Sequence, residues 1–130
     1  MKQAWIIVFM VTAAFAFAQA QSATMKQIML DLIHPASNEI LLSIYRGGPK
    51  DDKEWAVLRR SALTLAESGN LLLARRPPKG SLTGWRQRAT DFRAEAEVLL
   101  HAIERHDFRA TQDALRKLPQ SCAACHADYR

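Results

Sequence analysis

Glycine and proline are scarce, five of each in 130 residues, and their scatter excludes a collagen-like or low-complexity chain. Strand-like alternation of apolar and polar residues is missing beyond the N-terminal stretch, which argues against a sheet. No basic run is interleaved with aromatic residues, so a formal charge of +5 lends little support to nucleic-acid binding. Internal repeats are also missing. A chain this short leaves no expectation of a second domain, and any function has to fit on one small core.

The one long apolar run is at the start. Met1, Lys2 and Gln3 form a short basic opening, Ala4 to Ala18 carry no charge, and Ala18, Gln19 and Ala20 supply the A-x-A pattern of a signal-peptidase site. This predicts a cleaved signal peptide over residues 1–20 and a mature domain over 21–130 that leaves the cytoplasm. The alternative is an uncleaved anchor. Against it, Gln19, Gln21, Ser22 and Thr24 make the second half polar, whereas a spanning helix needs ~20 consecutive apolar residues. Loss of Lys2 lowers the formal charge only from +5 to +4.

Four helical segments follow. The first is expected from about Thr24 to Tyr45, stopped by Gly47, Gly48 and Pro49; the second opens after Asp51 and Asp52 and closes with Arg75 and Arg76 before Pro77 and Pro78. The third runs from Ser81 or Thr83 to about His106, and the fourth from Asp107 as a cap to the C-terminus. Trp55, Leu58, Ala62, Leu65, Gly69 and Leu72 recur at steps of three and four. So do Trp85, Ala89, Phe92, Ala96, Leu99 and Ile103, and then Phe108, Thr111, Leu115, Leu118, Cys122 and Cys125. That spacing is the seam of nearly antiparallel helices, so the expected fold is all-α, an up-down-up-down four-helix bundle. Pro35 and Pro119 fall inside the first and fourth helices, where a kink or short break is expected. Gly69 is either a weak spot in its helix or room for a bulky group.

The chemistry lies near the C-terminus. Cys122, Ala123, Ala124, Cys125 and His126 form C-x-x-C-H, the attachment pattern of haem c. Thiols three apart share a helical face and can each add to a vinyl group on one porphyrin edge, which carries the neighbouring imidazole beneath the iron. A thioredoxin-like dithiol would need a strand leading into the helix, and a zinc site would need further ligands in reach. In the expected bundle the end of the fourth helix is level with the start of the first. Met25 and Met29 are then both candidates for the far side of the iron, but they differ by ~6 Å in height, so only one can ligate. His34 is turned about 140° from Met29, and His101 and His106 belong at the far end, as surface residues. Trp85, Phe92 and Leu72 read as core.

A C-x-x-C-H box at the end of a four-helix chain, continuing through Ala127, Asp128 and Tyr129 to Arg130, together with Lys26, Gln27, Ile28 and Met29 in the first helix, resembles the class II cytochromes c. This family comprises the cytochromes c prime and their low-spin, methionine-ligated relatives. The resemblance implies one covalently bound haem c near the C-terminus, held by Cys122, Cys125 and His126. It places Met29 at the position of the sixth ligand and Arg130 in the cofactor-binding set.

The resulting expectation is a periplasmic electron carrier with His126 and Met29 as axial ligands, and not an enzyme. The alternative is a five-coordinate protein of the cytochrome c prime type that binds nitric oxide or carbon monoxide; a third reading is a haem-bearing subunit or stress-related binding protein that lives in a complex. Lys26, Arg75, Arg76, Lys79, Arg86, Arg88 and Arg130 gather at the haem end against Asp31, Asp91, Asp128 and nearby Glu67, an excess that points to an acidic redox partner, or to neutralisation of haem propionates and helix capping. Some relatives dimerise through their first two helices, so a homodimer is compatible with this reading.

Overall fold

The computed structural model describes residues 22–130. The expected signal peptide, residues 1–20, and the expected domain start at Gln21 lie outside the described residues. Helix α1 (Met25–Gln27) runs through a π-helical segment (Ile28–Ile33) into α2 (His34–Tyr45), forming one first rod; α3 (Asp52–Leu73), α4 (Leu82–Glu104) and α5 (Phe108–Tyr129) complete four helices, with no strand among the described residues.

The first rod, α3, α4 and α5 each begin on a side-chain cap. Thr24 accepts from the Gln27 amide at 3.2 Å and the Gln27 side chain returns the bond to the Thr24 amide at 2.9 Å, a reciprocal capping box. Asp51, Ser81 and Asp107 accept from the amides of Glu54, Gly84 and Ala110. Such caps are typically worth ~1 kcal/mol apiece. Gly47 and Gly48, with φ of 99° and 87°, turn the chain between α2 and α3 through a region that other residues seldom enter.

The seam positions of α3 and α4 are all buried, from Trp55 to Leu72 and from Trp85 to Ile103. In α5 Thr111, Leu115 and Leu118 are buried, while Phe108, Cys122 and Cys125 are half-buried. Two core hydroxyls bond to the carbonyl four residues back, Ser68 to Thr64 at 2.6 Å and Thr111 to Asp107 at 2.7 Å, which meets their hydrogen-bonding demand inside the core.

Side-chain pairs fix the antiparallel order. The end of α3 meets the start of α4 where Trp85 Nε1 donates to the Leu72 carbonyl at 2.9 Å. The start of α4 meets the end of α5 where Arg88 pairs with Asp128 at 2.9 Å. At the other end, Trp55 stacks on His106 with centroids 4.8 Å apart. Consecutive helices pack closely, whereas the first rod and α5 make much the looser neighbours.

Three expectations need correction. Helix α3 stops at Leu73, so Arg75 and Arg76 lie beyond its last turn. Arg75 instead folds back, buried, and its Nη1 donates to Leu71 O at 2.8 Å while Nη2 donates to Ala23 O at 3.0 Å, tying the end of α3 to the start of the rod. Pro119 leaves α5 unbroken. Pro35 does not break its helix either: the π-helical segment precedes it, with His34 N–H bonding to Met29 O. A widened turn relieves the clash that a proline ring makes with the carbonyl four residues earlier.

Candidate functional site

The looseness between the first rod and α5 opens an apolar cleft. Met29 and Ile33 line it from the rod, Leu72 from α3, Arg88 and Phe92 from α4, and Ser121, Cys122, Cys125 and His126 from α5. Cys122 and Cys125 are three apart on one helical face and half-buried, and His126 is exposed at the lip. Met29, half-buried, reaches the same cleft from a different helix.

Burial is the main influence on both thiols, pushing each above the usual thiol value. For Cys122, backbone hydrogen bonding pulls the other way and Glu95 adds to the rise. For Cys125, Arg88 pulls down while Asp128 and Cys122 push up. In the haem-free fold these are protonated thiols in an apolar wall, and no group of His, Cys, Asp and Glu among the described residues is clustered to hold a bare metal ion.

The donor set suits a haem. Two thiols at i and i+3 match two vinyl groups on one edge, an imidazole follows directly, a thioether stands in the opposite wall, and the remaining lining from Ile33, Leu72 and Phe92 is apolar. The cleft is narrow, about 50 Å³. A flat macrocycle would have to part the rod from α5, the neighbouring pair with least packing to lose.

Several expected residues lie elsewhere. Arg130 is exposed and outside the cleft lining; its carbonyl accepts from Lys79 Nζ at 2.6 Å. Met25 packs against the core without lining the cleft. Trp85 is core, bonded to Leu72 and set edge-on to Tyr129 at 5.2 Å, whose hydroxyl donates to Ser81 O at 2.9 Å. His34 is exposed, and His101 and His106 sit exposed at the far end, as expected of surface histidines. Gly69 faces Arg93 of α4, so the space beside it belongs to a helix–helix contact and not to a cofactor.

Sequence reading missed Ile33, Arg88 and the Ser121–Glu95 pair at the site. Ile33 follows Met29 by four positions, a spacing that could have found it. Arg88 was counted only as charge, although it lies three residues after Trp85 and one turn before Phe92. Glu95, half-buried, accepts from Ser121 Oγ at 2.6 Å, a pairing across two helices that no local spacing signals.

The family model described as Cytochrome C' matches residues 82–130, which spans α4 and α5. Comparison with curated proteins and with solved structures found no match. The matched segment contains Arg88, Phe92 and the whole Cys122 to His126 box, and the match supports the class II cytochrome c family and a c-type cytochrome.

Proposed function

We propose that this protein is an exported, periplasmic electron carrier, with one haem c bonded through Cys122 and Cys125 and its iron held by His126 and Met29. The observation that carries the reading is that Met29 and His126 line one apolar cleft from different helices. When bound, the haem supplies a one-electron couple between ferric and ferrous iron.

The chain's own part is to hold and shield. Cys122 and Cys125 would fix the cofactor to one face of α5, and His126, next in sequence, would take one axial position. Met29 would bring a soft thioether to the other, an arrangement that changes little between oxidation states and so suits electron transfer. Ile33, Leu72 and Phe92 exclude water from the same space. On this reading the protein is a carrier and not an enzyme. No described helix is long and apolar enough to cross a membrane.

The charge around the cleft supports an acidic partner, with a smaller set of residues than composition suggests. Arg75 is buried on two carbonyls and Arg88 is paired with Asp128. Lys26, Arg76, Lys79, Arg86 and Arg130 remain exposed at this end of the bundle.

Met29→Leu tests the assignment. The variant should turn high-spin, lose the sulfur-to-iron charge-transfer band and bind carbon monoxide readily when reduced, whereas Met25→Leu should keep the spectrum of the unmutated protein. A low-spin spectrum kept in Met29→Leu would assign the sixth position to another residue, and an unmutated protein already high-spin in both oxidation states would make Met29 a packing residue and favour the gas-binding alternative. Denatured protein should retain the mass of one haem; release of free haem on acid extraction would remove the covalent assignment.

A further inference from the structure

We infer that Pro35 is a positioning residue for Met29, acting through the π-helical turn that separates them; the inference rests on the proposed placement of Met29 beside the haem. The segment Ile28–Ile33 is π-helical, Met29 lies within it, and its carbonyl accepts from His34, five residues on. Pro35 follows immediately. An α-helical path would set the Pro35 ring against the Asp31 carbonyl and leave that carbonyl without its usual donor. The wider turn relieves the clash, and such turns concentrate at functional positions.

The consequence for side-chain direction can be worked out. Ile28 and Ile33 are five apart and both buried, at 0% and 9% exposure. An α-helix would set them about 140° apart around the rod. At roughly 4.4 residues per π-turn the separation falls to about 50°, so both can enter the core that Ala36 and Ile40 continue. Met29 moves with them. Relative to Ile33 it shifts from about 40° on one side in an α-helix to about 30° on the other in the π-turn, a swing of about 70°. In an unbroken α-helix Met29 would occupy the core line and Ile28 would be turned out of it. With the π-turn, Ile28 fills the core and Met29 faces the cleft shared with α5.

The same arithmetic supplies a rescue. The π-turn holds one residue more than an α-helix needs, and Leu30 within it is 56% exposed, so its removal leaves no hole in the core. Deleting Leu30 makes Ile28 and Ile33 four apart, about 40° in an α-helix, and returns Met29 to the cleft side of Ile33.

The test uses haem-loaded protein carrying ¹³C-methyl methionine, reduced under carbon monoxide so that the iron is diamagnetic whether or not sulfur is bound, with Met25→Leu assigning the signals. Ring-current shift then reports how close the Met29 methyl lies to the porphyrin, and the charge-transfer band of the oxidised protein reports ligation separately. Pro35→Ala, which favours helix and should fold by far-UV circular dichroism, is expected to lose the shifted Met29 resonance. Pro35→Ala combined with deletion of Leu30 is expected to recover it. A Met29 resonance unmoved by Pro35→Ala, or not recovered in the double variant, overturns the inference. If the unmutated protein shows the shifted methyl without the band, ligation fails while positioning stands and is still decided by the variants; if it shows neither, both are overturned.

Discussion

Replacing Gly69 with alanine should destabilise the bundle, although helix propensity alone predicts the reverse. Gly69 is in the interior of α3, where alanine is favoured over glycine by ~1 kcal/mol. A Cβ at this position, however, would lie 2.6 Å from Cβ and 2.9 Å from Cα of Arg93. Those atoms are fixed to the α4 backbone and cannot swing aside, so α3 and α4 must separate along their most extensive interface. Overpacking costs ~1–3 kcal/mol, and a clash against backbone-fixed atoms belongs to the upper part of that range, ~2–3 kcal/mol, which outweighs the propensity gain and leaves a net loss of ~1–2 kcal/mol. For a domain of this size each kcal/mol lowers the melting temperature by about 4 °C, so a fall of about 4–8 °C is expected by calorimetry or circular dichroism. Phe92, next to Arg93 and in the cleft wall, should shift as well, changing the haem absorption bands slightly. A melting temperature equal to or above that of the unmutated protein would refute the close-approach argument.

In the haem-free fold both thiols ionise later than free cysteine because burial raises them, so alkylation by iodoacetamide, followed against pH, should lag behind an unfolded control through the usual thiol range near ~8.5. The unfolded chain then loses these protons first, and the stability of the haem-free fold to urea should fall as pH rises through that range; a stability that rises there would contradict the burial. Electron transfer to an acidic partner, measured by stopped flow, should slow steeply with salt, since exposed charges are screened over ~10 Å at 0.1 M, and a salt-independent rate would remove the steering role of Lys26, Arg76, Lys79, Arg86 and Arg130.

The parts of this fold that local periodicity controls could be read directly. Trp55 to Leu72 and Trp85 to Ile103 form buried stripes because a 3.6-residue repeat decides which face meets the core, and Thr24, Asp51, Ser81 and Asp107 announce helix starts by the chemistry of their oxygens. Relations between helices were less legible. The sequence left Gly69 ambiguous because its reason for being glycine is the α4 backbone opposite it. Arg75 resembled a surface charge, yet one carbonyl of α3 and another just ahead of the first rod hold it inside. Pro35 signalled a disturbance without its form, because the choice between a break and a π-turn depends on whether Ile28 and Ile33 can share the core. At the site, the C-x-x-C-H box is a local pattern and was plain, whereas Arg88, Ile33 and the Ser121–Glu95 bond depend on three-dimensional register.

The absorption spectrum of the unmutated, haem-loaded protein in both oxidation states tests the central claim most directly. A low-spin spectrum in each state, with a sulfur-to-iron charge-transfer band in the oxidised form and slow reaction of the reduced form with carbon monoxide, is the result this account predicts. A high-spin spectrum in both states would contradict it, leaving Met29 as a packing residue beside an open iron.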